Sequence, residues 1–278
     1  MWPVGRTGEG QESTPGRAPA CRRPRVKAIL LALFIVSLIG CTPGNVRTDQ
    51  DTIGDLGTEK KQSPADVYVK LGIAYLRQGD FRSALLKLKK GLEADPDSAD
   101  AHNAIGLVYL RLGEDKVAGS HFERAVELKP KNPFFRNALG TYLCGQGEYD
   151  RALKQFDIAI ANPLYPTPEI ALNNAGLCSR RKGDLERADG YFRKVLQRNP
   201  NNPSALLEMA RISFATGRTL SARAYLQRYE AVAKPTAESL WIGVRTERKL
   251  GAARAARRYA RMLKSRFPDS DQAKQLEE

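Results

Sequence analysis

The 278-residue chain carries 45 Lys and Arg against 31 Asp and Glu, a net charge of +14, and its apolar fraction of 42% suits a folded protein rather than a disordered one. Two His exclude a His-rich metal site, and four Cys in this length are too few for a disulfide scaffold. No apolar run reaches the ~20 residues that a membrane-spanning helix needs.

The first 40 residues have the pattern of an export signal. Residues 28–39 are apolar except for Ser37, and residues 22–27 supply four positive charges before them. A run of 12 residues is the length of a signal-peptide core and too short for a membrane helix. It ends in Leu38-Ile39-Gly40-Cys41, which resembles the bacterial lipobox. The resemblance implies cleavage before Cys41 and lipidation of that residue; an ordinary secretory signal followed by a chance Cys is the alternative.

Residues 41–64 predict a flexible tether, because they are polar and lack aromatic residues and periodicity. As a coil this segment has a root-mean-square reach of roughly 25–30 Å.

Lipid on Cys41 is expected to anchor the protein stably in a membrane, since each buried methylene contributes about 0.8 kcal/mol. The next residue is Thr42, where lipoproteins retained in the inner membrane often carry Asp. We therefore expect lipid anchoring at the periplasmic face of the outer membrane, with no cofactor besides this covalent lipid.

The rest of the chain is an internal repeat. Turn glycines recur at intervals of 34, 34, 36, 34 and 34 residues, at Gly79, Gly113, Gly147, Gly183, Gly217 and Gly251. Small and large residues recur at the same intervals. Before and after each turn they follow helical spacing, which predicts two helices per repeat. The repeats occupy residues 65–98, 99–132, 133–168, 169–202, 203–235 and 236–269, and a tail covers residues 270–278.

This pattern closely resembles the tetratricopeptide repeat (TPR). The resemblance implies an all-α fold, a TPR superhelix that forms a right-handed α-solenoid of about six helix-turn-helix repeats. The first helix of each repeat then lines the inner face of the solenoid. The sixth repeat, 236–269, is irregular, as capping repeats usually are.

No catalytic constellation emerges from the sequence, so we predict a binding protein and not an enzyme. His102 and His121, beside helical apolar positions, are interpreted as structural. The inward positions mix apolar and amide side chains, which suits a peptide or a helix bound in the groove. These candidate groove residues are Val69, Ile73, Leu76, Asn103, Leu107, Leu110, Phe134, Asn137, Thr141, Asn173 and Leu177. The three Asn share one repeat position and are expected to bond either a partner's backbone or solvent and the neighbouring repeat.

Positive charge is concentrated in the C-terminal half, since residues 41–168 hold 17 basic and 17 acidic residues, whereas residues 169–278 hold 22 and 12. Four arginines in the sixth repeat follow helical spacing and form one stripe, here called the basic stripe: Arg254, Arg257, Arg258 and Arg261. The apolar residues of the same helix are expected to pack on the fifth repeat. Because an exported protein does not meet nucleic acid, we expect the stripe to contact anionic lipid headgroups, lipopolysaccharide or an acidic partner segment. A solvated face without a partner is the alternative.

Cys144 and Cys178 lie on the first helices of adjacent repeats. A disulfide needs Cα atoms within about 7 Å of each other, while the axes of packed helices lie 8–10 Å apart. We therefore expect buried thiols, with a disulfide as the alternative.

Three further stretches resemble the type IV pilus biogenesis lipoproteins of the PilF/PilW family. They are residues 68–76, Pro163-Leu164-Tyr165-Pro166 in the longer third repeat, and residues 203–210. The resemblance implies a pilotin, which binds subunits of the outer-membrane secretin and assists their localisation and multimerisation. A different TPR lipoprotein scaffold, serving outer-membrane protein assembly or peptidoglycan enzymes, is the alternative. Neither nucleic acid nor a small-molecule substrate is expected.

Overall fold

The computed structural model describes residues 63–276, which form helices joined by short turns and contain no strand. The helices are α1 Pro64–Gln78, α2 Phe81–Ala94, α3 Ala99–Leu112, α4 Asp115–Leu128, α5 Pro133–Gly145, α6 Tyr149–Ile160, α7 Pro168–Lys182, α8 Leu185–Arg198, α9 Pro203–Ala215, α10 Thr219–Val232, α11 Ala237–Lys249, α12 Ala253–Arg266 and α13 Asp271–Lys274. Six consecutive pairs, α1–α2 to α11–α12, form hairpins that stack in chain order. The all-α solenoid of helix-turn-helix repeats is thus confirmed. The predicted signal peptide, Cys41 and nearly all of the predicted tether lie outside the described residues.

Local interactions set the helix ends. At the start of α1, the Ser63 hydroxyl accepts from the backbone N–H of Asp66 at 3.1 Å, and the Asp66 carboxylate accepts from the backbone N–H of Ser63 at 3.1 Å. Between the helices of every repeat stands one of the six turn glycines, with φ between 70° and 89°. A residue with a side chain is strained in this left-handed region, so each turn favours glycine. The regular spacing of the glycines therefore reflects the regular spacing of the turns.

The helices of one repeat are held together by a small residue against a large one. A Cβ atom added to Gly140 would lie 2.8 Å from Cε1 of Phe156, a ring that is fully buried. An added Cβ on Gly176 would likewise lie 2.8 Å from the ring of Phe192. Since side-chain atoms do not approach so closely, these glycines are what allows the second helix to pack directly against the first.

The first helices lie on one side of the stack. α1 contacts α3, α3 contacts α5, α5 contacts α7 and α9 contacts α11, whereas no comparable contact joins two second helices within residues 63–276. The first helices therefore line the inner face, as the repeat predicts. The second helices contact one another through side chains, as where Tyr191 of α8 donates to Asp157 of α6 at 2.5 Å. Burial of the Tyr191 hydroxyl, and to a smaller extent its bond to this carboxylate, raises the pKa of Tyr191 to about 12.

The apolar side of α12 packs mainly within its own repeat, and Tyr259 also reaches the fifth repeat, where its hydroxyl donates to Glu230 of α10. Tyr259 and Leu263 share a small core with Leu240 of α11 and Ala273 of α13. α13, a short helix inside the predicted tail, folds against α11 and α12 and covers the apolar surface that a seventh repeat would cover. Thr58–Glu278 is one compact unit with its own core, and within the described part of it no helix is long and apolar enough to cross a membrane.

Candidate functional site

The predicted groove residues lie on the first helices and differ in how far they reach solvent. Phe134 is 50% exposed, Leu107 is 36% exposed, and Thr141 is also exposed. Partly buried positions between them are Ile73, Leu76, Asn103, Leu110, Asn137, Asn173 and Leu177. Val69 is only 5% exposed and belongs to the core of the first repeats, against Gly91. Its side chain is therefore unavailable to a partner, unlike the partly buried Asn that later repeats carry at this position.

The longer third repeat supports Phe134 from the side. Tyr165, in the loop between α6 and α7, is buried, and its ring meets the Phe134 ring edge-on with centroids 5.1 Å apart. Asn162 fixes the loop, since its Nδ2 donates to the Lys131 carbonyl and its Oδ1 accepts from the Leu164 N–H, both at 2.8 Å. The Leu164 side chain is 86% exposed. The longer loop of this repeat thus holds Phe134 in place through Tyr165 and carries a second exposed apolar side chain, Leu164.

The three repeated asparagines do not behave alike. Asn137 Oδ1 accepts from Asn174 Nδ2 at 3.0 Å, and Asn173 Oδ1 accepts from the Ser204 hydroxyl at 3.2 Å. Both are bonds between neighbouring repeats, one of the two alternatives predicted. Asn103 Oδ1 is buried and has no hydrogen-bond partner in the described part of the chain.

The following repeat explains this difference. In the third repeat, which follows that of Asn103, Ala138 takes the position of Asn174 and Phe134 takes the position of Ser204, and neither side chain carries a donor. The Asn103 oxygen is therefore left buried and unpaired within the described residues, four residues before Leu107 on the same helix.

A chain of ion pairs crosses the inner face of the later repeats. Arg180 of α7 contacts Glu208 of α9 at 2.9 Å, and Arg211 of α9 contacts the same carboxylate at 3.3 Å. Arg211 also pairs with Glu238 of α11. Glu208 is 7% exposed, so its charge is tolerated only because two guanidinium groups neutralise it. Sequence reasoning missed this network because its members come from three helices and occupy different positions of the repeat, so the repeat spacing does not pair them.

The expectation of free thiols at Cys144 and Cys178 is wrong. The two residues form a disulfide between α5 and α7, with a Cα–Cα distance of 5.8 Å. The expectation compared the disulfide limit with the distance between helix axes. Cα atoms lie about 2.3 Å from the axis, so residues that face each other across two packed helices are much closer than the axes are. The disulfide joins the inner faces of the third and fourth repeats.

His102 and His121 contact each other. Their Nδ1 atoms are 3.0 Å apart, and His102 Nε2 lies 3.1 Å from the Pro96 carbonyl oxygen. A neutral pair satisfies both bonds, with His102 Nε2 donating to Pro96 and His102 Nδ1 accepting from His121. Burial, followed by the charges of His102 and Lys89, lowers the pKa of His121 and favours this neutral form. Among the described residues, no group of His, Cys, Asp or Glu could hold a metal ion.

The four arginines of the basic stripe are exposed along α12, and no ion pair involves them within residues 63–276. Arg258 lies over the ring of Tyr259, with its guanidinium carbon 5.0 Å from the ring centroid. Glu247, the one acidic residue in residues 245–266, is 5% exposed and accepts from Arg223 Nε at 2.8 Å. Glu247 is therefore paired with Arg223 and does not pair with the basic stripe.

Stacked helical hairpins with a continuous inner face define a tetratricopeptide repeat protein, and this fold mediates protein interactions. Tetratricopeptide repeat family models match residues 69–133, 137–203 and 180–239. The chain is 32% identical over 246 residues to the type IV pilus assembly protein PilF of Pseudomonas aeruginosa, covering 88% of this chain and 95% of that protein. A solved structure of Pseudomonas aeruginosa PilF superposes with a TM-score of 0.71 at 31% identity, over 77% of this chain and 96% of that chain. The structure of PilW, described as a widely conserved type IV pilus biogenesis factor, gives a TM-score of 0.72 at 30% identity, over 78% and 100%. The chain belongs to the PilF/PilW family of TPR proteins of type IV pilus biogenesis.

Proposed function

We propose that this protein is a pilotin: a lipoprotein that binds secretin subunits on its inner face and assists their localisation and multimerisation in the outer membrane. The observation that carries the proposal is the solvent-exposed apolar surface of α3 and α5, at Leu107 and Phe134, in a chain that spans nearly the whole length of PilF. A TPR inner face of this kind binds an extended segment or a helix of another protein.

The contacts on α3 and α5 suggest how such a segment binds. Phe134 serves as the anchor, because Tyr165 already fixes its ring and little side-chain entropy remains to be lost on binding. Leu107 extends the apolar surface one repeat earlier.

Lipid on Cys41 supplies the second half of the proposed mechanism. Anchored at the periplasmic face of the outer membrane, the protein retains the bound secretin subunit at the membrane where it assembles. Replacing Cys41 with Ser is expected to abolish palmitate labelling and to release the protein from the outer-membrane fraction. Labelling unchanged by the substitution contradicts the lipid anchor.

The basic stripe gives the proposal a contact with the membrane itself. Its four exposed guanidinium groups match anionic lipid headgroups, whose attraction for cations is strong at close range and screened beyond about 8 Å at physiological salt. The stripe therefore acts only once the lipid anchor has brought the protein to the membrane surface.

The test of secretin binding uses two variants with the same change in charge. The inner-face variant carries Leu107→Glu and Phe134→Glu. The control variant carries Leu86→Glu and Leu220→Glu, on second helices, where the two side chains are 56% and 69% exposed. Each protein, expressed from residue 41 with Cys41→Ser, is immobilised and exposed to detergent-solubilised envelope of the source organism.

We expect the parent and the control to capture the secretin and the inner-face variant to capture at least tenfold less, since charge in an apolar contact costs more than 1.4 kcal/mol. Equal capture by both variants removes the inner face from the mechanism. Capture of outer-membrane protein assembly or peptidoglycan machinery in place of the secretin supports the alternative scaffold function.

A further inference from the structure

A cleft of about 390 Å³ lies at the C-terminal end of the inner face, between α9 and α11. Arg211 and Phe214 line it from α9, and Trp241, Arg245 and Lys249 line it from α11. It is separate from the apolar surface of α3 and α5 and from the basic stripe on α12. A volume of this size accommodates two or three amino-acid side chains.

Two cations of the cleft are held against one aromatic ring. The guanidinium carbon of Arg245 lies 4.4 Å from the centroid of the Phe214 ring, and Lys249 Nζ lies 5.6 Å from the same centroid. Arg245 and Lys249 are four residues apart on α11, so they project from the same side of the helix. The ring attracts both cations and fixes where their charges stand.

These two charges lack a counterion, in contrast with their neighbour. Arg211 is paired with Glu208 and Glu238. Neither Arg245 nor Lys249 takes part in an ion pair within the described residues, and Glu238, the carboxylate that lines the cleft, is paired with Arg211. Two adjacent cations repel each other, and an anion bound between them removes that repulsion.

We propose that this cleft binds an acidic peptide segment, with a carboxylate placed between Arg245 and Lys249 and an apolar side chain of the segment against Trp241. A guanidinium group and an ammonium group both suit a carboxylate, the guanidinium through two parallel hydrogen bonds. The aromatic lining favours a peptide over a free anion, because it offers contact area that only an adjoining side chain uses. The inference does not depend on the identity of the pilus partner.

Trp241 reports on this site directly. The chain contains two tryptophans, Trp2 and Trp241, so the compact unit of residues 58–278 contains Trp241 alone. The probes are the peptide acetyl-Leu-Glu-Glu-Leu-Glu-amide and its counterpart with Gln at every Glu. Each is titrated into residues 58–278 at low salt, with binding followed by Trp241 fluorescence and by calorimetry.

We expect the Glu peptide to change Trp241 fluorescence saturably and to bind at least tenfold more tightly than the Gln peptide, since hydrogen bonds between two charged groups are stronger than those to a neutral amide. The variant Arg245→Gln with Lys249→Gln is expected to lose at least tenfold in affinity. The control variant Arg254→Gln with Arg257→Gln removes the same charge from the basic stripe and is expected to change affinity less than twofold. Circular dichroism of both variants checks that the helices are retained.

Three results overturn the proposal. The first is equal affinity for the two peptides. The second is an equal loss in the two variants, which assigns binding to the net charge of the protein. The third is calorimetric binding that leaves Trp241 fluorescence unchanged, which places the peptide elsewhere. None of these results bears on secretin capture, so this inference and the proposed function fail separately.

Discussion

Replacing Gly140 with Leu tests how closely the two helices of a repeat pack. Gly140 lies in α5, and a Cβ added there would lie 2.8 Å from Cε1 and 2.9 Å from Cδ1 of Phe156. The Phe156 ring is fully buried, so it has no free space into which to move. The larger Leu side chain therefore forces the two helices apart or the ring out of its position.

The magnitude follows from two opposing effects. Overpacking a core costs about 1–3 kcal/mol, and four added carbons beside a fixed ring place this change near the upper end, roughly 3 kcal/mol. Replacing a glycine in a helix interior stabilises the folded state by about 0.5–1 kcal/mol. The expected loss in the free energy of unfolding is about 2 kcal/mol, which lowers the melting temperature by about 4–8 °C in a chain of this size.

Gly190 provides the matched control. It lies within α8, is exposed, and has no atom within 4 Å of an added Cβ. Gly190→Leu therefore gains helix propensity without a clash, and its melting temperature is expected to rise by about 1–4 °C. Thermal and urea unfolding, followed by circular dichroism, compares the two variants with the parent. A melt of Gly140→Leu within a degree of the parent, or a shift of the same sign in both variants, refutes the packing argument.

Three other predictions concern the disulfide, the basic stripe and the histidine pair. Replacing Cys144 and Cys178 with Ser is expected to lower the free energy of unfolding by about 2–4 kcal/mol, and thiol counting on the denatured, unreduced chain from residue 58 is expected to find none; two free thiols contradict the disulfide. Replacing the four arginines of the basic stripe with Gln is expected to leave the melting temperature within about 2 °C and to weaken binding to vesicles that contain anionic lipid, with a flatter salt dependence; unchanged binding at low salt means that the stripe is a solvated face. Because burial lowers the pKa of His121 from 6.5, the unfolded chain binds the proton more tightly, so the stability that neutral His121 contributes is complete above pH 6.5 and declines as the pH falls through that value towards the folded-state pKa. Urea unfolding at pH 7.5 and pH 5.5 is expected to show a smaller loss for His121→Gln than for the parent, and equal losses contradict this account.

The fold was predictable because each repeat must satisfy the same local geometry. A left-handed turn requires glycine, as at Gly113, and a close helix contact requires a small residue, as at Gly106. Because every repeat has the same requirements, these residues recur at a nearly fixed interval in the sequence. That interval can be recognised without knowing which repeats are in contact. The disulfide could not be resolved in this way, because it depends on the separation of Cα atoms across a helix pair, 5.8 Å here, and repeat spacing does not give that distance.

The candidate site was predictable in position but not in detail. The first-helix positions of Leu107 and Phe134 follow from the repeat, and both are exposed. Whether an inward Asn is free depends on the donors in the next repeat, which separates Asn103 from Asn137. The cleft at Phe214 was missed because its cations come from a different helix, and periodicity within a helix carries no information about the residue that faces it.

The most direct test of the pilotin assignment is the amount of secretin multimer in the outer membrane of cells that lack this protein. The cells are complemented with the parent, with Leu107→Glu and Phe134→Glu, or with the control Leu86→Glu and Leu220→Glu, each expressed at an equal level. The account predicts that the parent and the control restore the multimer and that the inner-face variant leaves most of the secretin as monomer. Restoration by the inner-face variant, or a normal multimer level without the protein, contradicts it.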